Sequence, residues 1–317
     1  MAIKSFKLIL ITGATGFIGA AFLKRALAVG CNVRVLTRKA SNWTLQPGLE
    51  IVYGDLASTQ DWSPVVDGVH VIVHTAAEIK DPALMQLVNV IGPTKLLDAA
   101  ANAGVKRWVQ LSSVGAYGVV KEGVVREGWS DHPVGPYEVS KSDFDEVLKR
   151  TSSNHGIDIC ILRPSNVYGP GMRNQSILQM TNAIRKGVFA FIGSPGASAN
   201  YVHVDDVVQA LELCIEHPKA ANQMYIVSAW ATIEEMVSGL SAGAGIATPK
   251  RRMWLHLARS LAGLFKWLPS WPLTLSRVQA MSMRSRYSTE KIEHELGWRL
   301  SIPVKEGMQQ FTKNMQP

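Results

Sequence analysis

"LILITGATGFIGAAF", residues 8 to 22, decides how the rest of the chain is read. Its first five residues are leucine, isoleucine and threonine, a composition that suits a short buried strand. Glycines follow at positions 13, 16 and 19, and from Phe17 onward the apolar residues fall at helical spacing. A glycine turn between strand and helix lets backbone approach a ligand closely. The helix start then offers unpaired N–H groups and the positive end of its dipole, a natural seat for phosphate. The spacing is G-x-x-G-x-x-G rather than G-x-G-x-x-G, but a strand before it and a helix after it supply the context of a dinucleotide site. Gly13, Thr15, Gly16, Phe17, Ile18 and Gly19 are the residues expected to hold the cofactor there.

Working outward, the helix that opens at Phe17 ends at Gly30, a C′ glycine. "NVRVLT", "LEIVYGD", "VHVIVHTAA", "RWVQLSS" and "IDICILRPSNVYG" read as strands. "PALMQLVNVIGPTKLLDAAANAG" reads as one long helix in which Pro93 requires a kink or an early turn, and "PYEVSKSDFDEVLKRTSS" as another helix. Alternating βαβα with nearly continuous apolar strands predicts an α/β fold, a Rossmann-type doubly wound parallel sheet covered on both faces. After "GPGMRN" the alternation stops. "HVDDVVQALELCIEHP" is a helix with acids in its first turn, "NQMYIVSA" a last strand, and the chain from about 230 reads as helix and loop. The division expected is a dinucleotide-binding domain of residues 1–171 plus about 203–228. A smaller, mostly helical substrate domain would take about 172–202 plus 229–317.

Hydrophobic content of 47% and charged content of 18% describe a folded chain rather than a disordered one. The net charge is +8, but the Lys and Arg are scattered rather than blocked, so nucleic acid is not expected as a partner. Cys31, Cys160 and Cys214 form no C-x-x-C, which fits a reducing compartment, the cytoplasm, and argues against a disulfide framework or a metal site. The first apolar run is too short for a signal peptide, and no uncharged stretch of about 18 residues predicts a membrane span.

The end of the second strand bears on the cofactor. An acid there would accept hydrogen bonds from ribose hydroxyls, whereas "VRVLTRKAS" places Thr37, Arg38 and Lys39. A guanidinium grips a 2′-phosphate that an acid would repel, so NADP(H) is expected, with NAD(H) as the alternative. In "YGDLAS", Asp55 is placed to accept from the adenine amino group and Leu56 to pack on the ring. A turn-capping role for Asp55 is the competing reading.

Tyr137 and Lys141 in "PYEVSK" share a helix face. With "TGATGFIG", "GDL", "HTAA", "NVIGPTKLL", "LSSVGAYG", "LRPSNVYGPG", "YVHVDDVV" and "ELGWRLSIPVKEGM", in that order, the chain resembles an extended short-chain dehydrogenase/reductase over nearly its whole length. The resemblance is to NAD-dependent epimerase/dehydratase-like proteins and to the branch of 3β-hydroxysteroid dehydrogenases and dihydroflavonol reductases. It implies that Ser113, with Ser112 as competitor, hydrogen-bonds the substrate oxygen. It further implies that Tyr137 is the acid/base, that Lys141 together with an oxidised nicotinamide ring lowers the tyrosine pKa, and that Lys141 holds the nicotinamide ribose. Thr75, Ala76 and Ala77 are expected to line the cofactor, with His74 packed, and Asn89 to tie helix to strand near the site. Arg163, Pro164, Ser165, Asn166 and Val167 are expected to face the nicotinamide carboxamide. Tyr117, Tyr168 and His203 are the candidate substrate-pocket residues. On the tyrosine helix, Phe144, Val147 and Leu148 read as packing, and Asp143, Asp145, Glu146, Lys149 and Arg150 as a solvated or dimer-facing surface.

The resemblance implies hydride transfer between a nicotinamide and a small-molecule ketone/alcohol pair. The alternatives are a nucleotide-sugar 4-epimerase or related enzyme and an NADP-binding protein without chemistry. The intact Ser113, Tyr137 and Lys141 speak against the last. Nucleotide-sugar enzymes of this kind carry an arginine where this chain has Ala199, and a second in an R-x-G-D stretch missing here, although Arg277, Arg284 and Arg286 lie nearby. "RRMWLHLARSLAGLFKWLPSWPLTL", residues 251–275, carries a narrow polar stripe of Arg252, His256, Arg259, Gly263, Lys266 and Ser270 on an apolar helix. Three readings stay open for it: a core helix, a lid over an apolar substrate, or a surface resting on a membrane. The resemblance also implies a homodimer through helices near 83–103 and 137–152.

Overall fold

The computed structural model describes residues 8–38, 43, 46–152, 156–172, 176–265, 267 and 273–314. Its strands are β1 (Ile9–Thr12), β2 (Val33–Thr37), β3 (Leu49–Tyr53), β4 (Val71–His74), β5 (Arg107–Leu111), β6 (Glu122–Val125), β7 (Asp158–Pro164), β8 (Asn166–Tyr168), β9 (Phe191–Ile192), β10 (Ser198–His203), β11 (Gln223–Val227), β12 (Ala229–Thr232), β13 (Arg252–Met253) and β14 (Arg284–Tyr287). The helices are α1 (Phe17–Ala28), α2 (Ser63–Val66), α3 (Pro82–Gln86), α4 (Gly92–Asn102), α5 (Pro136–Ser152), α6 (Ser176–Arg185), α7 (Val204–Glu216), α8 (Ile233–Ala244), α9 (Leu255–Leu264), α10 (Leu275–Ala280), α11 (Glu290–Leu296) and α12 (Val304–Lys313).

Seven strands form one parallel sheet in the order β3-β2-β1-β4-β5-β7-β11. This is the doubly wound Rossmann sheet. Alternation along each strand fills both faces. Ile9, Ile11, Val33 and Val35 pack with Phe22 of α1 and Leu211 of α7, while Leu10, Leu36, Ile72 and Trp108 pack with Leu96 of α4 and Phe144 of α5. The strand order reverses between β1 and β4. The loops that leave these two strands therefore diverge to opposite faces and open a crevice at the strands' C-terminal ends.

Three elements depart from the sequence expectation. The long helix of residues 82–102 contains a π turn at Leu87–Ile91, between α3 and α4. It falls directly before Gly92–Pro93, where the proline ring would collide with a carbonyl in an unbroken α-helix. The strand read through "IDICILRPSNVYG" is two strands. β7 lies in the large sheet, and β8 crosses to a second sheet of order β12-β10-β8. The break is at Ser165, whose N–H is taken by Val227 O and whose hydroxyl accepts from Ser228. The region beyond 230 is not only helix and loop, because β14 runs parallel to β6 and ties it to the segment after β5.

The second lobe has its own core of Tyr168, Phe191, Met236, Leu240, Val304 and Met308. α8 starts with a capping box between Thr232 and Glu235 and packs along α12. α9 covers only part of residues 251–275 and is not a core helix. Ala258 and Ala262 are buried, but Trp254 is 82% exposed and Leu264 65%. Lys266 and Ser270 lie outside the described residues. Among the described residues no helix is long and apolar enough to cross a membrane, no metal-binding cluster of His, Cys, Asp or Glu occurs, and the three cysteines are buried without a disulfide.

Candidate active site

The glycine turn sits at the C-terminal end of β1, against the loop that follows β4. Gly13 has a positive φ of 75°, and a Cβ there would lie 2.5 Å from the Ala76 nitrogen. A Cβ on Gly19 would lie 2.3 Å from Gly13 O. Only glycine lets these three segments meet. Gly16 is the N-cap of α1 and supplies no capping side chain, so the first N–H groups of the helix remain available to an anion. Thr12 locks the arrangement. Its hydroxyl meets His74 Nδ1 at 2.8 Å and accepts from Ala76 N at 3.3 Å, and its carbonyl accepts from Thr75 Oγ1 at 2.7 Å. His74 is buried and stacked on Trp108; burial, with the Lys141 charge, holds its pKa well below the usual value and keeps it neutral.

A cleft of about 230 Å³ opens from this turn. Gly13, Thr15 and Gly16 form one wall, Arg38, Asp55 and Leu56 another, and Thr75, Ala76 and Ala77 the third. Glu78 and Val88, which the sequence reading did not name, also line it. Asp55 Oδ1 accepts from Ala57 N at 2.9 Å, so the turn-capping role is real, and the carboxylate still borders the cleft. Glu78 Oε1 accepts backbone N–H groups of Ile79, Lys80 and Asp81. These bonds, aided by Arg38, lower its pKa. Arg38 is exposed at the rim, and Lys39 lies outside the described residues. A second, larger groove of about 860 Å³ starts at Thr15, Gly16 and Phe17 and runs between α1 and α7. The glycine turn, its helix start and the two clefts fit a bound dinucleotide.

Two residues beyond β5, Ser112 and Ser113 diverge. Ser112 is buried and donates to Asp145 Oδ2 at 2.7 Å. Ser113 is half-buried at the start of a 3₁₀ turn, Val114–Tyr117, and its oxygen accepts from Gly115 N at 3.0 Å. That leaves the Ser113 hydroxyl proton free to donate. α5 is pinned against the same stretch. A Cβ on Gly115 would fall 2.8 Å from Glu138 Cγ, so glycine admits the Glu138 side chain, and Lys141 Nζ donates to Leu111 O. Tyr137, directly before Glu138 on α5, is half-buried. Asn89, inside the π turn, exchanges hydrogen bonds with the Glu78 backbone at 2.7 and 2.9 Å. It also donates to Ser140, which in turn donates to Tyr137 O. The widened helix turn thus joins the loop after β4 to the first turn of α5.

Burial shapes the two ionisable groups of α5. It raises the Tyr137 pKa to about 12, with Glu138 and Asp145 acting in the same direction. It lowers the Lys141 pKa to about 8, with Asp145 opposing.

Beneath them lies an ionic network that sequence reading missed. Arg163, 1% exposed, holds Asp131 through two bonds of 2.6 Å and Asp145 Oδ2 at 2.8 and 3.0 Å. The side chain therefore points into the protein, where both carboxylates engage it. Asp145, read as surface, is fully buried; burial raises its pKa against the pull of Arg163, Ser112 and Lys141. The one available signal was its position four residues after Lys141 on the same helix face.

The remaining candidates are placed as follows. Pro164 ends β7 in the large sheet. Asn166 donates to Asn200 O, and Val167 pairs with Val202. Tyr117 is enclosed, with the Arg163 guanidinium 4.7 Å over its ring. Tyr168 is fully buried beside Tyr201 and His203. His203 caps α7 by accepting from Asp205 N.

A parallel doubly wound sheet with a glycine turn at its switch point, and a serine turn docked on a Tyr-x-x-x-Lys helix, defines an NAD(P)-dependent enzyme of the extended short-chain dehydrogenase/reductase type. The chain belongs to the NAD-dependent epimerase/dehydratase family, whose family model matches residues 9–228. It is 32% identical to "Sterol demethylase protein B" of Methylococcus capsulatus over 80% of this chain and 79% of that one. It is 31% identical to a UDP-glucose 4-epimerase of Vibrio cholerae over 71% of each. Among solved structures, a dTDP-glucose 4,6-dehydratase of Streptomyces venezuelae with NAD bound superposes with a TM-score of 0.75 at 26% identity, covering 96% of both chains.

Proposed function

We propose that this enzyme interconverts a ketone and a secondary alcohol with NADP(H), using Tyr137 as acid/base, Ser113 as hydrogen-bond donor to the substrate oxygen and Lys141 as the cation beside them. The observation that carries the reading is the docking of α5 on the serine turn, through Glu138 on Gly115 and Lys141 on Leu111 O. The nicotinamide, when bound, supplies or accepts the hydride. For reduction, Ser113 donates its free hydroxyl proton as a hydrogen bond to the carbonyl oxygen and Tyr137 transfers its proton there. Lys141 stabilises the phenolate left behind until solvent returns a proton. Oxidation runs the same path backward.

Arg38 at the rim of the cleft, and no acid at the end of β2, support NADP(H) over NAD(H). Residues 1–171 with about 203–228 would bind it, through the glycine turn, Asp55, Leu56, Thr75 to Ala77 and the Pro164–Val167 segment. Residues of about 172–202 with 229–317 would hold substrate. The enclosed Tyr117 and Tyr168 are left out of the substrate pocket. A cytoplasmic homodimer through α4 and α5 completes the reading, supported by Leu84 and Ile91, 40% and 46% exposed near that face.

An apolar substrate is supported by what the second lobe lacks. Ala199, where nucleotide-sugar enzymes of this kind carry an arginine, is 2% exposed in β10. Arg284 donates to the carbonyls of Ser194 and Pro195, and the Arg286 guanidinium lies 3.5 Å over the Trp230 ring. Both cations are thus engaged away from a diphosphate. The 31% identity to a UDP-glucose 4-epimerase favours a second reading, nucleotide-sugar epimerisation without net redox change. A binding and turnover screen of both cofactors against hydrophobic ketones and UDP- or dTDP-sugars separates them. Cofactor oxidation with a ketone supports the first reading, and tight UDP-sugar binding without cofactor turnover overturns it. Tyr137→Phe is expected to abolish turnover while leaving NADP(H) affinity within a few fold; surviving activity would remove Tyr137 from its role.

A further inference from the structure

The charge of the chain is unevenly placed. It has 33 Lys and Arg against 25 Asp and Glu. Residues 236–289 contain eight of the basic residues and none of the acidic ones, so this segment alone accounts for the net charge of +8. The acids nearest in sequence are occupied. Glu234 holds Arg252 at 2.7 Å, and Glu235 closes the Thr232 capping box. Arg251 and Arg259 are exposed and have no acidic partner among the described residues.

The same segment exposes a large apolar surface. α9 buries Ala258 and Ala262 against Ile192 and Val278. Its other side carries Leu257 and Leu264, 53% and 65% exposed, with Leu261 between them on the same face. Trp254 at its start is 82% exposed, and Trp267 just beyond its end 71%. Arg251 donates to Gly187 O, which brings Val188, 70% exposed, to the edge of the patch. Contiguous apolar surface of this kind marks an interaction site rather than ordinary exposure. Tryptophans at both ends of a short amphipathic helix, leucines between them, Arg251 at the edge of the patch and Arg259 on the polar face match the chemistry of a lipid headgroup layer.

We propose that α9, with Trp254 and Trp267, seats this lobe on the surface of an anionic bilayer. Trp254, Leu257 and Leu264 enter the headgroup region, and Arg251 and Arg259 meet lipid phosphates. The contact is superficial, and it stands on this surface alone, independent of the substrate reading.

Flotation of the full chain with vesicles tests it. Binding is expected to vesicles of phosphatidylcholine with phosphatidylglycerol, weaker binding to phosphatidylcholine alone, and release by salt. The variant Trp254→Ser/Leu257→Ser/Leu264→Ser should lose about tenfold or more in vesicle affinity while keeping NADP(H) binding and its melting curve. Arg251→Glu/Arg259→Glu should lose the preference for phosphatidylglycerol. No flotation of the wild type with either vesicle would overturn the proposal, as would flotation that both variants leave intact. A wild type that self-associates and ignores vesicles, with a monomeric serine variant, would assign the patch to a second copy of the chain.

Discussion

Ser112 donates to Asp145 across 2.7 Å, although 33 residues separate them. This bond distinguishes two adjacent serines that sequence alone leaves in competition. Ser112 faces into the ionic network, whereas Ser113 is half-buried and accepts from Gly115 N. Ser113→Ala is expected to lower kcat about 100-fold or more, the range seen when a donor to a developing oxyanion is removed. Ser112→Ala should instead cost about 1–3 kcal/mol of stability, because it leaves a buried carboxylate short of a donor. Steady-state kinetics and urea unfolding of both variants check the assignment; the reverse pattern would exchange their roles.

Much of the site was legible because its signals are local. The glycine turn, the strand series and the Tyr137–Lys141 spacing each lie within a few residues. What escaped was long-range. Asp145 looked like one more acid on a charged helix, since Arg163 and Ser112, which bury it, arrive from β7 and the end of β5. The π turn before Pro93 was open as a kink or an early turn, because the proline shows that the helix must adjust but not how. Nor could the apolar pattern of residues 251–275 tell inside from outside; a broad apolar stripe looks the same whether it packs on a core or faces away from one.

Arg38 provides a test of cofactor choice. It borders the cleft together with Asp55 and Leu56 and is exposed, so its guanidinium is free to meet a 2′-phosphate without leaving a buried partner. Arg38→Ala is expected to raise the KM for NADPH by about tenfold, a loss of about 1.4 kcal/mol, and to leave the KM for NADH nearly unchanged. Equal effects on both cofactors would show that the residue does not read the phosphate.

Arg163 should matter for stability more than for binding. Its guanidinium neutralises two carboxylates, one of them fully buried. Arg163→Met leaves Asp145 and Asp131 uncompensated and is expected to cost about 3–5 kcal/mol. The loss should shrink in acid, as the stranded carboxylates take up protons. Denaturant midpoints measured at neutral and at acid pH check both parts.

Lys141 makes the pH dependence specific. Burial holds its pKa at about 8 and that of Tyr137 at about 12. Below pH 8 the pair is ammonium and phenol, the state needed to protonate a ketone. As pH rises through about 8, Lys141 loses its charge while Tyr137 keeps its proton, so the phenolate formed at each turnover lacks its cation. Reductive kcat/KM is therefore expected to fall, approaching about tenfold per pH unit. Stability moves the other way. The folded-state pKa lies below the unfolded value of about 10.5, so between these two values the unfolded chain binds more protons and the Lys141 contribution to stability rises with pH. A rate that falls while the denaturant midpoint holds or rises identifies deprotonation rather than unfolding. A flat reductive profile through this window would mean that Lys141 does not act on the phenolate.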